Sequence, residues 1–514
     1  MVLAVIEAVY RFLWGDLFTI PIGNGNGIGI PLLVLLLIPT GIYFTIRTKF
    51  LPVRLFPDMI RALGGKKKEE GGLSPVQTLF VSTATRVGMG NLVGVVAAIS
   101  AGGAGAVFWM WISAIFGSST AFVEAALAHL YKEKDPLYGG YHGGPAYYIH
   151  SYAERVRKKK LKHSVVAVLF ALSGLICWGG ISQVISNSVA SAFKNAFGIS
   201  PMITTVILVV LSAVIVLRKN ATVRALDVIV PIMAGCYFVI TLFIIATHLG
   251  SVPGVFKRIF EEAFGLRQIA AGGFGAVLMN GVKRGLFSNE AGMGSAPNAA
   301  ATASVSHPVK QGLVQSLSVY IDTLLICTCS AMMVMVFWVQ DPEAAMALNG
   351  MPLVQMAVNN AVGEVGIHFI TFAIFAFAFS SLIGNYFYAE TNFRYIFKNT
   401  KWGMLIFRVL CLAAIFYGCV NSFDLAWNLA DIFMGFMAII NLVAILLLGK
   451  WALAALDDYT RQRKEGKDPV FIAASVPGMP ACECWTTADL PNFGDNPVEE
   501  YIEEAASLDS EGLR

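Results

Sequence analysis

The feature that most constrains the fold is a succession of long apolar stretches. A membrane crossing needs about 20 mostly apolar residues, and eleven stretches of the chain reach that length. They lie near 28–47, 76–101, 106–131, 165–192, 201–218, 225–248, 268–302, 310–338, 366–392, 403–421 and 427–450. Of the 514 residues, 56% are hydrophobic and only 14% are charged, whereas soluble domains carry about 25% charged residues. This excludes a cytosolic enzyme, a disordered protein and a nucleic-acid binder, and it predicts an all-α membrane protein with eleven transmembrane helices.

The loops between these stretches differ in positive charge. One set of alternate loops holds 27 Lys and Arg residues, and the opposite set holds five. Because cytoplasmic loops are enriched in positive charge, we expect a multi-pass protein of the plasma (inner) membrane with its N-terminus outside and its C-terminus in the cytoplasm. Residues 1–27 are predicted to form an interfacial segment with a short amphipathic helix. Residues 28–450 form the transmembrane domain, and 451–514 a solvated, mostly disordered cytoplasmic tail.

The second and seventh stretches do not have the composition of plain lipid-facing helices. They contain STATRVGMGNLVG at 82–94 and GVKRGLFSNEAGMGSAP at 281–297. Both combine small polar and charged side chains with glycines, which cost a helix about 1 kcal/mol each. Non-helical backbone at membrane depth lines a cavity or is buried in protein, and paired breaks in two halves of a chain indicate a transporter's binding site. The alternative is that both are packing surfaces of the GxxxG kind.

The positions of the two breaks predict an inverted repeat. When the first stretch is set aside, each break opens a group of five stretches, over about 74–248 and 268–450. Because five is an odd number, the second group enters the membrane from the opposite side. The predicted architecture is therefore five plus five helices in inverted repeats, with an extra N-terminal helix.

The chemistry of such a break suits a zwitterion and a small cation. Free N–H groups at the start of a half-helix, here those of Met89 and Gly90, can hold a carboxylate. Free carbonyl groups at the end of the preceding half-helix, here those of Ala84 and Val87, can hold an ammonium group or Na⁺. Thr85 can add a hydroxyl, and Gly88 and Gly90 allow close approach of a ligand to the backbone.

Several separated motifs between about 28 and 450 resemble the alanine or glycine:cation symporter family. They are GGAGAVFWMWISAIFG at 102–117, RVGMGN at 86–91, GGPAYYI at 143–149 and FSNEAGMGSAP at 287–297. The resemblance implies sodium-coupled uptake of alanine or glycine by a protein with the leucine-transporter-like inverted-repeat fold. It also implies Na⁺ as the co-transported ion.

The resemblance further implies a sodium site. Its ligands would be the carbonyl groups of Ala84 and Val87 and a group of residues that begins at Phe377 in the ninth stretch, where Ser380 and Ser381 match the paired hydroxyl positions of that fold. The alternative for the two serines is hydrogen bonding to carbonyl groups of their own helix. Asn91 resembles a ligand of a second sodium site. The positively charged Arg86 next to Val87 counts against that second site.

In the seventh stretch, Phe287 resembles an aromatic lid over the substrate and Ser288 an oxygen ligand beside it. The alternative for Phe287 is ordinary core packing. Asn289 and Gly292 are candidates because they lie in the same break. The substrate-binding candidates are therefore Thr85, Gly88, Met89, Gly90, Gln183, Phe287, Ser288, Asn289 and Gly292.

Other polar residues in the apolar stretches allow two interpretations. Gln183 and Asn187, one helical turn apart, could face the substrate or form hydrogen bonds between helices. Arg86 and Glu290 could pair across the two breaks, because each is expensive to bury alone. Glu124, Asp227, Asp322 and Glu390 are expected to be interfacial or structural.

These observations predict a secondary active symporter that imports a small neutral amino acid with Na⁺ by alternating access. Its expected partners are the amino acid and the lipid bilayer, with no nucleic acid. The alternative is a proton-coupled amino acid permease in which Glu290 carries the proton. The sequence has no HExxH pair and no P-loop, which disfavours an intramembrane metalloprotease and an ATP-driven pump.

Overall fold

The protein is described by a computed structural model that covers residues 2–23, 26–65, 73–136, 139–216, 221–264, 273–348, 350–398, 400–420 and 423–486. Of the residues that it describes, about 80% are helical. The first part of the chain contains α1 (Val2–Trp14), β1 (Asp16–Gly23), β2 (Asn26–Pro31), α2 (Leu32–Arg47), α3 (Leu51–Arg54) and α4 (Phe56–Leu63).

The middle of the chain begins with the first broken helix. Its elements are α5 (Pro75–Arg86), a π-helical turn (Gly90–Gly94), α6 (Val95–Gly102), α7 (Gly105–Leu130), β3 (Glu133–Lys134), β4 (Tyr141–His142), α8 (Pro145–Arg157), α9 (Val165–Phe197), α10 (Pro201–Val216), α11 (Ala221–Thr247) and α12 (Val252–Ala263).

The rest of the chain begins with the second broken helix. It comprises α13 (Gly273–Asn289), α14 (Pro297–Ala300), α15 (Pro308–Val319), a π-helical segment (Tyr320–Cys327), α16 (Thr328–Gln340), α17 (Pro342–Met346), α18 (Met351–Val362), α19 (Glu364–Phe397), α20 (Lys401–Val420), α21 (Phe423–Lys464) and a 3₁₀ turn (Ala473–Ser475).

The number of membrane spans differs from the expected eleven. Seven helical segments within the described residues are long and apolar enough to cross a membrane, and the bent pair Pro75–Arg86 and Gly90–Gly102 makes an eighth. The seven are Gly105–Leu130, Val165–Phe197, Val228–Thr247, Pro308–Gln340, Glu364–Phe397, Trp402–Cys419 and Trp427–Lys464. Two predicted spans correspond to shorter apolar helices, Leu32–Arg47 and Pro201–Val214, and the predicted seventh is interrupted after Asn289. The chain is thus a multi-pass membrane protein for which the count of eleven is not confirmed.

Besides the helices that the sequence predicts, the described part of the chain contains two short β-hairpins. After α1, the chain forms an antiparallel hairpin of β1 and β2, and a second, smaller hairpin pairs Glu133 with His142 and Lys134 with Tyr141. The sequence from 16 to 31 contains four glycines and two prolines, which disfavour a helix. The short helix expected near the N-terminus is present as α1.

The tail after 450 is not fully solvated as expected. Helix α21 continues to Lys464, and the following residues pack against the helices. Phe471 and Trp485 are buried, and the indole N–H of Trp485 donates to the carbonyl oxygen of His129 at 2.7 Å. Burial of these large aromatic side chains removes apolar surface from water, which explains why this part of a polar tail is ordered. Residues 487–514 lie outside the described part of the chain.

Candidate functional site

The first break separates α5 from α6. Helix α5 begins at a capping box, in which Ser74 accepts from the backbone N–H of Gln77 and the Gln77 side chain accepts from Ser74. It ends at Arg86, and its axis makes an angle of 44° with the helix that starts at Gly90. The predicted interruption therefore lies where the glycines and polar residues concentrate, and all of its residues from Val87 to Gly94 are buried.

The backbone of the first break is held by a side chain in addition to short-range backbone hydrogen bonds. The N–H of Gly88 donates to the side-chain oxygen of Asn91 at 2.9 Å. A Cβ atom on Gly88 would lie 1.8 Å from the hydroxyl oxygen of Ser381. A larger residue at 88 would displace the Ser381 side chain from its present position, so glycine allows α19 to approach the break this closely.

The second break follows α13. Its backbone leaves the helix through left-handed conformations, with φ of 57° at Glu290, 91° at Gly292 and 83° at Gly294. Glycine adopts such angles freely, but for Glu290 they cost about 1–3 kcal/mol. The side chain of Asn289 accepts from the N–H of Ala291 at 3.0 Å. The break is thus a defined loop, and α14 follows it at Pro297.

The second break is anchored by a carboxylate on α7. The two oxygens of Glu124 accept from the N–H groups of Gly292 and Gly294, each at 3.0 Å. The amide of Asn441 on α21 donates to Glu124 and to the carbonyl oxygen of Gly292, and Tyr148 on α8 donates to Asn441. Backbone N–H groups without helical partners are thus satisfied by the two oxygens of one carboxyl group.

The two breaks meet at the carboxylate of Asp322, in the π-helical segment after α15. Its oxygens accept from Asn91 of the first break at 2.7 Å, from Ser288 beside the second break at 2.9 Å, and from Thr323 at 2.7 Å. All four residues are fully buried. This cluster, here called the Asp322 cluster, links both broken helices through one buried negative charge.

Phe287 and Ser288 also contact the first break directly. A Cβ atom on Gly90 would lie 3.2 Å from the Cα atom of Ser288 and 3.4 Å from the Phe287 ring, and one on Gly94 would lie 3.3 Å from the same ring. The Phe287 ring contacts Trp427 of α21 at 4.9 Å between centroids. Phe287 therefore covers the start of the second half-helix, where Met89 is also buried.

The residues predicted to bind sodium come together at the end of α5 and on α19, except for Asn91. The hydroxyl of Ser381 donates to the carbonyl oxygen of Ala84 at 3.1 Å. Ser380 donates to the carbonyl oxygen of Phe377 at 2.9 Å, a bond within its own helix. Val87 directly precedes the glycine that Ser381 approaches. The group consists of uncharged, buried oxygen atoms, a donor set that suits a hard monovalent cation.

Thr85 faces α19 rather than an open space. Its hydroxyl hydrogen-bonds to the carbonyl oxygen of Ser82 at 2.9 Å and to the hydroxyl of Tyr388 at 3.0 Å. Gln183 lies at the contact between α9 and α20, since a Cβ atom on Gly418 would lie 2.4 Å from its Cα atom. Asn187 donates to the carbonyl oxygen of Gly418 at 3.1 Å. Gln183 and Asn187 therefore lie at the contact between two helices, as the second of the two interpretations predicted.

The expected salt bridge between Arg86 and Glu290 is absent from the described part of the chain. Arg86 donates to the side chains of Gln315 at 3.0 Å and Ser318 at 2.8 Å, while Glu290 accepts from Ser295 at 2.6 Å. The left-handed conformation of Glu290 places its carboxylate within reach of its own loop.

A second buried ionic group lies next to Phe287. Arg284 pairs with Asp431 through two hydrogen bonds of 3.2 and 3.1 Å and lies 4.0 Å from the centre of the Trp427 ring. Lys283 contacts the same carboxylate at 3.3 Å and donates to the hydroxyl of Tyr10 on α1 at 2.6 Å. The pairing joins α13 to α21 and to the N-terminal helix.

Sequence reasoning missed two residues of this site, Asp322 and Glu124. Both were expected to be interfacial or structural; neither is interfacial, since both are fully buried, and Glu124 anchors the second break while Asp322 joins the two breaks. An ionisable residue inside a membrane span indicates a functional site by default, and that rule would have singled out Asp322, which lies well inside Pro308–Gln340.

Comparison with known proteins shows extensive similarity. A sequence model of the sodium:alanine symporter family matches residues 19–473. The probable sodium/glutamine symporter GlnT of Bacillus subtilis is 44% identical over 461 residues, which cover 89% of this chain and 94% of that protein. The amino-acid carrier protein AlsT of the same organism is 43% identical over 484 residues, 94% and 97% of the two chains. The sodium/proton-dependent alanine carrier of Bacillus sp. PS3 is 36% identical over 448 residues, 83% and 97% of the two chains.

Proposed function

Because this chain belongs to the sodium:alanine symporter family, we propose that it imports a small neutral amino acid together with Na⁺ by alternating access. The family is one of transporters, so the chain is a membrane transporter and not an enzyme. The proposal concerns four properties of the chain: its substrate, its coupling ion, its inverted repeat and its leucine-transporter-like fold.

The observation that carries the proposal is the meeting of the two breaks at Asp322. Asn91 and Ser288 donate to one carboxylate, so a ligand that changes the position of either break changes the position of the other. The N–H groups of Met89 and Gly90 stand in the first turn of a half-helix, where such groups have no partner within the helix. They form the proposed site for the substrate carboxylate, and Phe287 and Ser288 cover it.

Na⁺ is proposed to bind between the end of α5 and α19. Its ligands are the carbonyl oxygens of Ala84, Val87 and Phe377 and the hydroxyl oxygens of Ser380 and Ser381. A cation there replaces the hydrogen bond from Ser381 to Ala84 with two oxygen–cation contacts and fixes the first broken helix against α19. A second cation is proposed at the Asp322 cluster, where the Asn91 side chain turns its oxygen toward the ion and the carboxylate supplies the compensating charge.

Coupling follows from linkage between these sites. Na⁺ and the amino acid both favour the arrangement in which the breaks are correctly placed, so each raises the affinity for the other by the same factor. The Arg284–Asp431 pair and the Phe287–Trp427 contact are proposed to close one side of the site. Opening that side requires separation of the buried pair, and occupancy of the site shifts the equilibrium between the open and closed states.

The proposed substrates are alanine and glycine. The Phe287 ring packs within contact distance of Gly90 and Gly94, and this leaves little room beside the proposed carboxylate site. One relative is named as a glutamine symporter, so the substrate side chain must be tested directly.

The test is uptake of radiolabelled alanine, glycine and glutamine into proteoliposomes with and without an inward Na⁺ gradient. We expect accumulation of alanine or glycine that collapses when the gradient is removed. Uptake that is indifferent to Na⁺ would contradict the proposed coupling, and preferential uptake of glutamine would contradict the proposed substrate.

Proton coupling is the second candidate. It is favoured by the presence of Glu290 within the second break and by a relative named as sodium/proton-dependent. If the proton drives transport, an inward pH gradient in Na⁺-free buffer supports accumulation, and Glu290→Gln abolishes that accumulation.

The proposed location is the plasma (inner) membrane with the N-terminus outside and the C-terminus in the cytoplasm. The distribution of Lys and Arg among the loops supports this orientation. The test introduces a cysteine at exposed Lys158 or Lys257 in a variant whose eight native cysteines are replaced by serine. A membrane-impermeant thiol reagent is then applied to intact cells, and only the Lys257→Cys variant is expected to react.

A further inference from the structure

A cavity of about 520 Å³ lies between α9, α10, α19 and α20. This lateral cavity has the size of a small-molecule site, for which about 300–1,000 Å³ is typical. Its walls are mainly apolar, and none of the described residues that line it is charged. Such a lining suits an uncharged ligand, because a charge would have no partner there.

Three polar atoms of the lining residues lack hydrogen-bond partners. They are the indole N–H of Trp178, the hydroxyl of Ser212 and the amide nitrogen of Asn385. The three residues are 2%, 2% and 5% exposed. Buried polar groups are nearly always hydrogen-bonded, and an unpaired one requires an explanation. Two of the three atoms can only donate, so the missing partner has an acceptor oxygen.

The lateral cavity opens toward the bilayer. Ile406 and Leu410 of α20 line it and are 58% and 61% exposed, as expected of a lipid-facing helix. Gly179 of α9 also lines it, and a Cβ atom there would meet no atom within 4 Å. A ligand therefore enters sideways from the membrane and occupies real space beside α9.

The position of Asn385 along α19 distinguishes among lipids. Asn385 lies 12 residues before Phe397, the last residue of α19, which corresponds to about 18 Å at 1.5 Å per residue. Helix α19 has 34 residues and is longer than the hydrocarbon core, which is about 30 Å thick; Asn385 lies in the middle third of the helix, within its membrane-spanning part. An ester group of a phospholipid stays near the headgroup, whereas a neutral lipid can bring a carbonyl to this depth.

We propose that the lateral cavity binds an uncharged, bilayer-dissolved molecule whose carbonyl oxygen accepts hydrogen bonds from Trp178 and Asn385. The apolar walls hold the hydrocarbon body, and the two donors fix the oxygen. The Trp178 ring contacts Tyr388 at 5.6 Å between centroids, and the Tyr388 hydroxyl is bonded to Thr85 at the first break. The ligand thus supports one wall of the contact between α9, α19 and the broken helix.

The test uses methyl nonyl ketone as the probe and undecane as the matched molecule without a carbonyl. Binding of radiolabelled ketone to the full-length protein in nanodiscs is measured as the saturable part of its partitioning. We expect one site per chain, with undecane a competitor weaker by about threefold to tenfold, the equivalent of a neutral hydrogen bond. The carbonyl stretch of bound ketone should shift to lower frequency.

Three variants make the test specific. Gly179→Leu fills the cavity and should abolish saturable binding, while Asn385→Leu should weaken it by up to about tenfold. Gly235→Leu is the control, because Gly235 is a helical glycine on α11 that also has no atom within 4 Å of its Cβ position but does not line the cavity. It should bind as the wild type does.

Equal saturable binding by Gly179→Leu and Gly235→Leu would overturn the proposed location. Competition by undecane as strong as that by the ketone would overturn the hydrogen-bonding role. Only non-saturable partitioning into wild-type nanodiscs would overturn the proposal altogether, because phospholipid chains would then fill the cavity as well as the probe does. None of these readouts measures transport, so they are independent of the amino acid and the ion.

Discussion

Replacement of Asp322 by Asn tests the proposed second cation site most directly. The substitution keeps the shape of the side chain and removes the negative charge at which both breaks meet. If a monovalent cation binds at about 4 Å from this carboxylate, the pair contributes about 4 kcal/mol at an effective dielectric constant of about 20. That energy corresponds to more than a hundredfold in affinity, and partial compensation by desolvation leaves an expected rise of at least about tenfold in the half-saturating Na⁺ concentration.

The effect of Asp322→Asn on the free energy of unfolding is smaller than its effect on Na⁺ binding, and the two effects can be measured separately. Asp322 accepts from three donors, and a hydrogen bond to a charged group is worth about 1 kcal/mol more than one to a neutral group. The loss is therefore about 3 kcal/mol at most, because the hydroxyls of Ser288 and Thr323 can rotate to accept from the new amide. We expect a folded protein with a moderately lower melting temperature.

The assay is amino-acid uptake into proteoliposomes at varied Na⁺ concentration, with thermal unfolding of the same preparations. Asp341→Asn is the matched control, because Asp341 is exposed and caps α17 by accepting from Ala344 at 3.1 Å, and Asn caps helices equally well. A half-saturating Na⁺ concentration within twofold of the wild-type value in folded Asp322→Asn protein would refute the charge argument.

Three further changes have defined outcomes. Ser381→Ala removes a proposed sodium ligand next to Ala84 and should raise the half-saturating Na⁺ concentration several-fold, whereas an unchanged value would exclude this hydroxyl as a ligand. Glu124→Gln replaces the charged acceptor of the second break and should lower the free energy of unfolding by about 1–3 kcal/mol, measured by thermal unfolding in detergent; an unchanged melting temperature would contradict the anchoring role. Trp485→Ala removes a buried aromatic ring that bonds to His129 and should release the segment after 470 to limited proteolysis, since such truncations cost about 3–5 kcal/mol; unchanged protection would show that the segment is held by other contacts.

The sequence predicts the two breaks because their causes are local. Glycines and small polar residues weaken a helix wherever they stand, so the interruptions near Gly88 and Gly292 follow from the residues themselves. The partners of the breaks are not local. Asp322 and Glu124 come from other helices, and the distances at which they bind Asn91 or Gly292 depend on helix packing that no spacing along the chain reveals.

The span count is not confirmed and the solvated tail is not found for related reasons. A window of apolar residues does not distinguish a 16-residue helix such as Leu32–Arg47 from a longer span, and the composition of the tail does not reveal that Trp485 finds a pocket beside His129. The sequence also does not show which acceptor the Ser380 hydroxyl uses. The structure shows that it donates to the carbonyl oxygen of Phe377 in its own helix.

The position of Asp431 has a consequence for biogenesis. Lys283 and Arg284 leave the ribosome nearly 150 residues before the carboxylate that binds both of them. Until α21 is inserted, the nascent chain therefore carries two unpaired positive charges at membrane depth, and quality-control proteases can recognise that intermediate. A chain that stops before Asp431 should be degraded rapidly, whereas one that stops just after α21 should persist. Pulse-chase experiments on ribosome-released fragments of increasing length would show at which length this transporter becomes stable in the membrane.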